Sequence, residues 1–203
     1  MLFRSLIWCN IEHPFCAVNL SVDWRSWIRQ EHAMITLEQR IQKLEDRAEI
    51  QDLVARYFKV TDDDDYLALA DCFTRDARFL ANGFAGGTGR EGVVAFLKAA
   101  RSTMQQTVHT PNYVHITFDG TDAAGGTVMA HLEIGIGGTT VYGAVRYLDE
   151  YRREDGRWRI ASREMGAVHL GSWDVVASSM TEPHNVRWPG AEPAPSDYPR
   201  KKN

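Results

Sequence analysis

The spacing of apolar residues changes once along the chain, from helical to alternating. Across residues 36–61, Ile41, Leu44, Ala48, Ile50, Leu53, Val54, Tyr57, Phe58 and Thr61 recur at three- and four-residue steps. Glu45, Arg47, Glu49, Asp52, Arg56 and Lys59 fill the other face, so one long amphipathic helix is expected. The acidic run at 62–65 interrupts it, and a second short helix should follow through Leu67, Ala70 and Phe73, capped by those acids. A glycine-rich turn (Gly83, Gly86, Gly87, Gly89) leads into a third helix at about 91–100.

Beyond it the period is two. Val114, Ile116 and Phe118 alternate with Tyr113, His115 and Thr117; Val128, Ala130, Leu132 and Ile134 alternate with Thr127, Met129, His131 and Glu133. Gly137-Gly138 and Asp155-Gly156 read as hairpin turns introducing strands at 140–151 and 157–165. Helices followed by long antiparallel strands predict an α+β layer fold.

The two ends differ from this body. Residues 1–33 hold Trp8, Trp24, Trp27, Cys9 and Cys16 without sustained periodicity. Leu6-Ile7-Trp8 is broken by Asn10, Glu12 and His13, short of the ~7–15 apolar residues of a secretory signal. This stretch reads as a leader, packed or disordered, with Met34 opening the periodic region. Five of the seven prolines fall within the last twenty-one residues, which predicts a Pro-rich tail over 174–203. The body is then 34–173.

A chain of 203 residues can bury a full core, and 23 basic against 27 acidic side chains, spread along it, suggest neither a nucleic-acid groove nor an anionic-membrane surface. No apolar run approaches the ~20 residues of a membrane-spanning helix. Cys9, Cys16 and Cys72 lack metal-site or redox spacing, as expected of free thiols in a reducing, cytoplasmic setting.

Among residues that carry chemistry, the acidic run is not a calcium loop: counting from Asp62, the required glycine and glutamate positions hold Leu67 and Phe73. Asp62 remains notable because it follows the apolar face of Tyr57, Phe58 and Thr61, and a carboxylate there needs a partner. His109 lies where the chain enters a strand, in Val108-His109-Thr110-Pro111. His131, Glu133 and His115 share the face opposite the apolar positions; an iron-type metal site can be drawn from them, but an outer or intersubunit sheet face is simpler. No nucleophile elbow, P-loop or dinucleotide fingerprint is present.

The segment 48–53 (AEIQDL), with Tyr57, Asp62, Phe73 and Asp76-Ala77, resembles the opening of the SnoaL-like branch of the nuclear transport factor 2 superfamily. Gly89-Arg90-Glu91-Gly92, His109, Asp149-Glu150-Tyr151, Asp155-Gly156-Arg157-Trp158 and Ser162-Arg163 extend the resemblance over about residues 34–171. It implies a cone-shaped, strongly curved antiparallel sheet wrapped round N-terminal helices, with an internal apolar cavity. Within the superfamily the pattern is similar to hexachlorocyclohexane dehydrochlorinase, the bile-acid dehydratases and scytalone dehydratase. The Asp–His dyad maps onto Asp62 and His109, and the last-strand arginine onto Arg163. Tyr57 stands where the dehydrochlorinase has a lysine and the bile-acid enzyme a tyrosine.

The activity implied is a cofactor-independent lyase without a metal. His109 abstracts a proton from a small hydrophobic, ring-containing substrate, with Asp62, Tyr57 and Arg163 as its catalytic companions. Loss of formaldehyde from an aromatic diol and double-bond isomerisation use the same dyad. Strict alternation turns Arg163 away from the face of Trp158 and Ile160, so a bulge or strand end near Ala161-Ser162 is required if it is to reach the cavity; in a regular strand it is a surface or interface residue. Phe58, Tyr142 and Trp158 are candidate substrate contacts, although Trp158 also reads as core. Tyr142 and Tyr147 lie on opposite faces of one strand, so at most one of them faces the cavity. The resemblance further implies a homo-oligomer, with a trimer favoured. A non-catalytic β subunit of a ring-hydroxylating dioxygenase and a ligand-binding module are the alternatives from other classes.

Overall fold

The computed structural model describes residues 36–81 and 84–198, apart from the side chains of residues 84 and 85. The expectations for the leader at 1–33, for Met34, for Gly83 and for residues 199–203 lie outside these. The chain divides into two compact units, 1–39 and 40–203. In the first, Thr36 and Gln39 form a reciprocal cap: the Thr36 N–H donates to Gln39 Oε1 (2.8 Å) and the Gln39 N–H to Thr36 Oγ1 (3.2 Å).

The long helix α1 spans Leu37–Asp62 and is followed by the short α2, Tyr66–Asp71, whose N-cap Asp65 accepts from the Ala68 N–H at 3.0 Å. The apolar stripe of α1 is buried from Ile50 to Thr61. Earlier in the helix it is not: Ile41 and Leu44 are exposed, and the buried residue of that stretch is Asp46. Asp46 is matched by Arg153 (2.6 Å) and by the Trp158 indole N–H (3.1 Å). Phe73, read as the end of α2, instead opens strand β1, Phe73–Ala81.

The glycine-rich stretch departs from the turn expected of it. It forms the edge strand β2, Phe84–Thr88, before α3, Arg90–Arg101. Glycine is needed there for close approach: a Cβ at Gly86 would lie 2.0 Å from the Phe79 carbonyl oxygen, and one at Gly87 would lie 2.5 Å from Val93 Cα. Four long strands follow, β3 (Met104–Asp119), β4 (Ala123–Ile136), β5 (Thr139–Glu154) and β6 (Arg157–Ser172). Both expected hairpin turns form, with positive φ at Gly137, Gly138, Asp155 and Gly156.

The six strands make one open sheet in the order β2-β1-β6-β5-β4-β3, antiparallel except for the β1–β6 pair. The core lies between its inner face and α1–α3, with Ile50, Leu53, Phe73, Val93, Ile160 and Leu170 fully buried. Bulges curve the sheet, and two of them decide where site residues point. On β3, Pro111 pairs with Ala130 and Tyr113 with Met129, so Asn112 is extra. On β6, Ser162 pairs with Glu150 and Ile160 with Tyr151, so Ala161 is extra.

The tail opens with helix α4, Trp173–Ser179, and then runs back along β6. The Leu170 N–H donates to the Asn185 carbonyl (2.9 Å), the Arg187 N–H to the Leu170 carbonyl (2.8 Å), and the Asp197 N–H to the Ala167 carbonyl (3.0 Å). This section of β6 lies beyond Met165, the last residue paired with β1, so the tail takes over an otherwise open edge.

Candidate active site

Asp62 is the last residue of α1, at the helix end where the dipole disfavours a carboxylate. Donors from β3 surround it. His109 Nδ1 lies 2.6 Å from Oδ1, the Thr107 hydroxyl donates to the same oxygen (2.8 Å), and the His109 backbone N–H donates to Oδ2 (2.8 Å). Burial pushes the Asp62 carboxyl up. The hydrogen bonds and charge of His109, with Thr107, outweigh it and hold the group below the usual carboxylate range. In a neutral ring, an ionised Asp62 favours the tautomer with the proton on Nδ1, in which Nε2 is the acceptor. Phe58 stacks on the imidazole, with ring centroids 5.2 Å apart and planes 19° from parallel.

The imidazole borders a cavity of about 480 Å³ between the helices, the inner face of the sheet and the tail. Its lining is mainly apolar, from Phe79 on β1 and Phe96 on α3 to Leu132 and Ile134 on β4 and Trp188 in the tail. Tyr57 and Tyr147 supply phenols, each only 2% exposed. Burial pushes both phenols above the ordinary tyrosine value, so both are protonated donors at neutral pH.

Behind these tyrosines lies Arg163, fully buried. The extra residue Ala161 turns it inward, and Nε and Nη2 donate to the two oxygens of Asp149 at 2.8 and 2.6 Å. Its Cζ sits 4.1 Å from the centroid of the Tyr57 ring and 4.8 Å from that of Tyr147. Arg163 does not itself line the cavity.

The fold thus brings together Asp62, His109 and Tyr57, with Arg163 one layer back. The three candidate substrate contacts go elsewhere. Phe58 is behind His109, and Trp158 is buried against Asp46 and Phe118. Tyr142 is on the outer face, stacked between His131 (5.7 Å) and Trp173 (5.1 Å). From β5 it is Tyr147 that lines the cavity, sharing the parity of the buried Val141, Val145 and Tyr151. Thr107 was legible by the same rule, two residues before His109 on one strand. Arg101 was legible as a charge on the apolar side of α3, in step with Val93 and Leu97. Among the described residues, no three or more His, Cys, Asp or Glu side chains gather to hold a metal ion, and His131 and Glu133 stay outside the cavity.

A curved, open six-stranded sheet packed against N-terminal helices is the fold of the nuclear transport factor 2-like class. Within that class the chain belongs to the SnoaL-like domain family, whose model matches residues 42–164. Among solved structures, the hexachlorocyclohexane dehydrochlorinase LinA is 23% identical, over 66% of this chain and 92% of its own, with a TM-score of 0.63. A putative scytalone dehydratase from Novosphingobium aromaticivorans is 16% identical, over 80% of this chain and 99% of its own, with a TM-score of 0.65. An NTF2-like protein of cystatin-like fold from the same species is 27% identical, over 71% and 97%, with a TM-score of 0.58. No curated protein matches the chain significantly. Among the described residues, no helix is long and apolar enough to cross a membrane.

Proposed function

We propose that the protein is a cofactor-independent lyase acting by elimination on a hydrophobic, ring-containing substrate. The reading rests on the 2.6 Å contact of His109 Nδ1 with Asp62 at the wall of an apolar cavity. His109 Nε2 takes a proton from a substrate carbon. The electron pair of that C–H bond becomes the new C=C bond, and the leaving group departs with its own bonding pair. For a hydroxyl leaving group, the imidazolium returns the proton and water is released. Asp62 stabilises the imidazolium meanwhile, a general-base contribution of ~10²–10⁴-fold.

Tyr57 and Tyr147 donate to the oxygen on which charge develops. Arg163, neutralised by Asp149, is a positioning residue that holds both rings from behind. A phenol pair backed by an arginine that Asp149 already neutralises suits an oxygen leaving group better than a halide, which supports a dehydratase-like reaction. The likeness in fold to a dehydrochlorinase and to a putative dehydratase supports elimination as the class.

The test is mass spectrometry of wild type and His109→Ala incubated, without added metal or cofactor, with hydroxysteroids, aryl diols and cyclic halides. A His109-dependent loss of 18 mass units, on the order of one water, is the expected result. Loss of formaldehyde or hydrogen halide would keep the base and change the leaving group, and a product of unchanged mass would make the enzyme an isomerase. Equal turnover by wild type and His109→Ala would overturn the assignment.

A further inference from the structure

Among the described residues that line the cavity is one arginine. Arg101, in the last turn of α3, is among its lining residues, while its side chain is only 6% exposed. A basic residue at a helix C-terminus is ordinarily a solvated partner for the dipole, as the exposed Lys98 of the same turn is. Arg101 instead lies in an apolar wall, where a guanidinium is costly unless its charge is matched.

The match in the protein is partial. Nε donates to Asp64 Oδ1 at 2.7 Å, and the same oxygen accepts from the Tyr66 hydroxyl at 2.9 Å. Asp64 is 51% exposed, so solvent weakens its hold on the buried partner. Its backbone has φ 54°, a strained conformation for a non-glycine residue, in the turn two residues beyond Asp62. The ion pair engages Nε, whereas a guanidinium is a five-donor fork shaped for a second carboxylate.

We infer that Arg101 is a substrate-recognition residue, and that the cavity takes an apolar ring body whose carboxylate is held at the rim by this guanidinium. The inference rests on the lyase reading only in treating the cavity as the substrate site; it names the class of substrate. The carboxylate is an anchor and does not react. It fixes which carbon of the ring is presented to His109 Nε2.

Calorimetric titration of the full chain with 2-naphthoate and with 2-naphthamide, which share a ring and differ in charge, tests this. At pH 7 the acid should bind at least about tenfold tighter than the amide, as expected of a charge-assisted hydrogen bond in a dry site. Arg101→Gln should erase that preference and leave the amide affinity unchanged. Asp64→Asn, which removes the competing anion, should tighten the acid alone, and this arm stands even if Arg101→Gln does not fold. His109→Ala should keep the preference. Equal binding of acid and amide, binding of neither, or loss of the preference in His109→Ala rather than Arg101→Gln would each overturn the proposal. None of these readings depends on turnover, so a failed lyase assignment is seen separately.

Discussion

Asp62 is placed where a carboxylate serves stability poorly, at the negative end of a helix, and three donors from another element restore the balance. Position and partners together argue that its charge is kept for use. With His109 as the base proposed above, Asp62→Asn removes the charge that would stabilise its imidazolium, so activity on the substrate found by the screen should fall by roughly 10²–10⁴ while the 2-naphthamide affinity holds. A pH dependence also follows. A carboxyl held low in the folded protein adds stability that is complete above the unfolded value, near ~3.9 for aspartate, and is lost as pH falls through the lower folded value. Urea titrations should therefore show wild type more stable than Asp62→Asn at pH 7, with the gap closing below about pH 4. A gap that persists in acid would mean that Asp62 acts through packing and not through charge.

At the scale of elements, two extra residues decide which side chains of the candidate site point inward. Strict alternation along β3 puts His109 on the face opposite Val114, Ile116 and Phe118, yet the structure has all four inward because Asn112 is inserted between them. The signal in the sequence was Pro111: it lacks an N–H, and it lies on the edge strand, where the regular ladder can be interrupted. Deleting Asn112 should leave a folded protein by circular dichroism whose His109 no longer reaches Asp62. Loss of the downfield Nδ1 proton resonance, together with activity, would show it; an unchanged resonance would mean that the bulge does not aim the ring. The bulge at Ala161 was foreseen as a condition for Arg163 to point inward. The Asp149–Arg163 pair behind the tyrosines was not, because cross-strand register decides it. Asp149→Ala leaves a fully buried guanidinium uncompensated, at a cost of about 3–5 kcal/mol in unfolding free energy. Replacing both partners, as in Asp149→Leu with Arg163→Met, should recover most of that loss in denaturant melts. A double variant as unstable as the single one would show that the arginine, and not the missing charge partner, sustains the layer.

For the molecule as a whole, period alone revealed the α+β order, because long helices and long strands leave strong periodic signals. It was blind to β1 and β2. In β1 the apolar positions lose alternation at a register shift between Phe73 and Arg78, and in β2 glycines stand where side chains would carry the pattern. The tail was legible only as an irregular segment; that it borders the cavity follows from backbone pairing at Leu170, which no composition encodes. That pairing separates two roles along one short stretch. Val186 is 7% exposed and bridges both Leu170 and Ala194, so it holds the strap down. Two residues on, half-buried Trp188 lines the cavity. Val186→Ala should therefore act first on stability, lowering it by about 1–2 kcal/mol. Trp188→Ala removes apolar wall from the ligand's side and should act first on affinity, weakening 2-naphthamide by roughly five- to tenfold with a smaller change in melting temperature. Calorimetry and thermal melts on the two variants read these effects independently. If Trp188→Ala melts far earlier and binds as wild type does, the tail is packing alone and the cavity is bounded by the sheet and helices. If the split falls as expected, the strap is part of the binding site, and substrate size is set partly by a segment beyond the matched SnoaL-like region, which ends at residue 164.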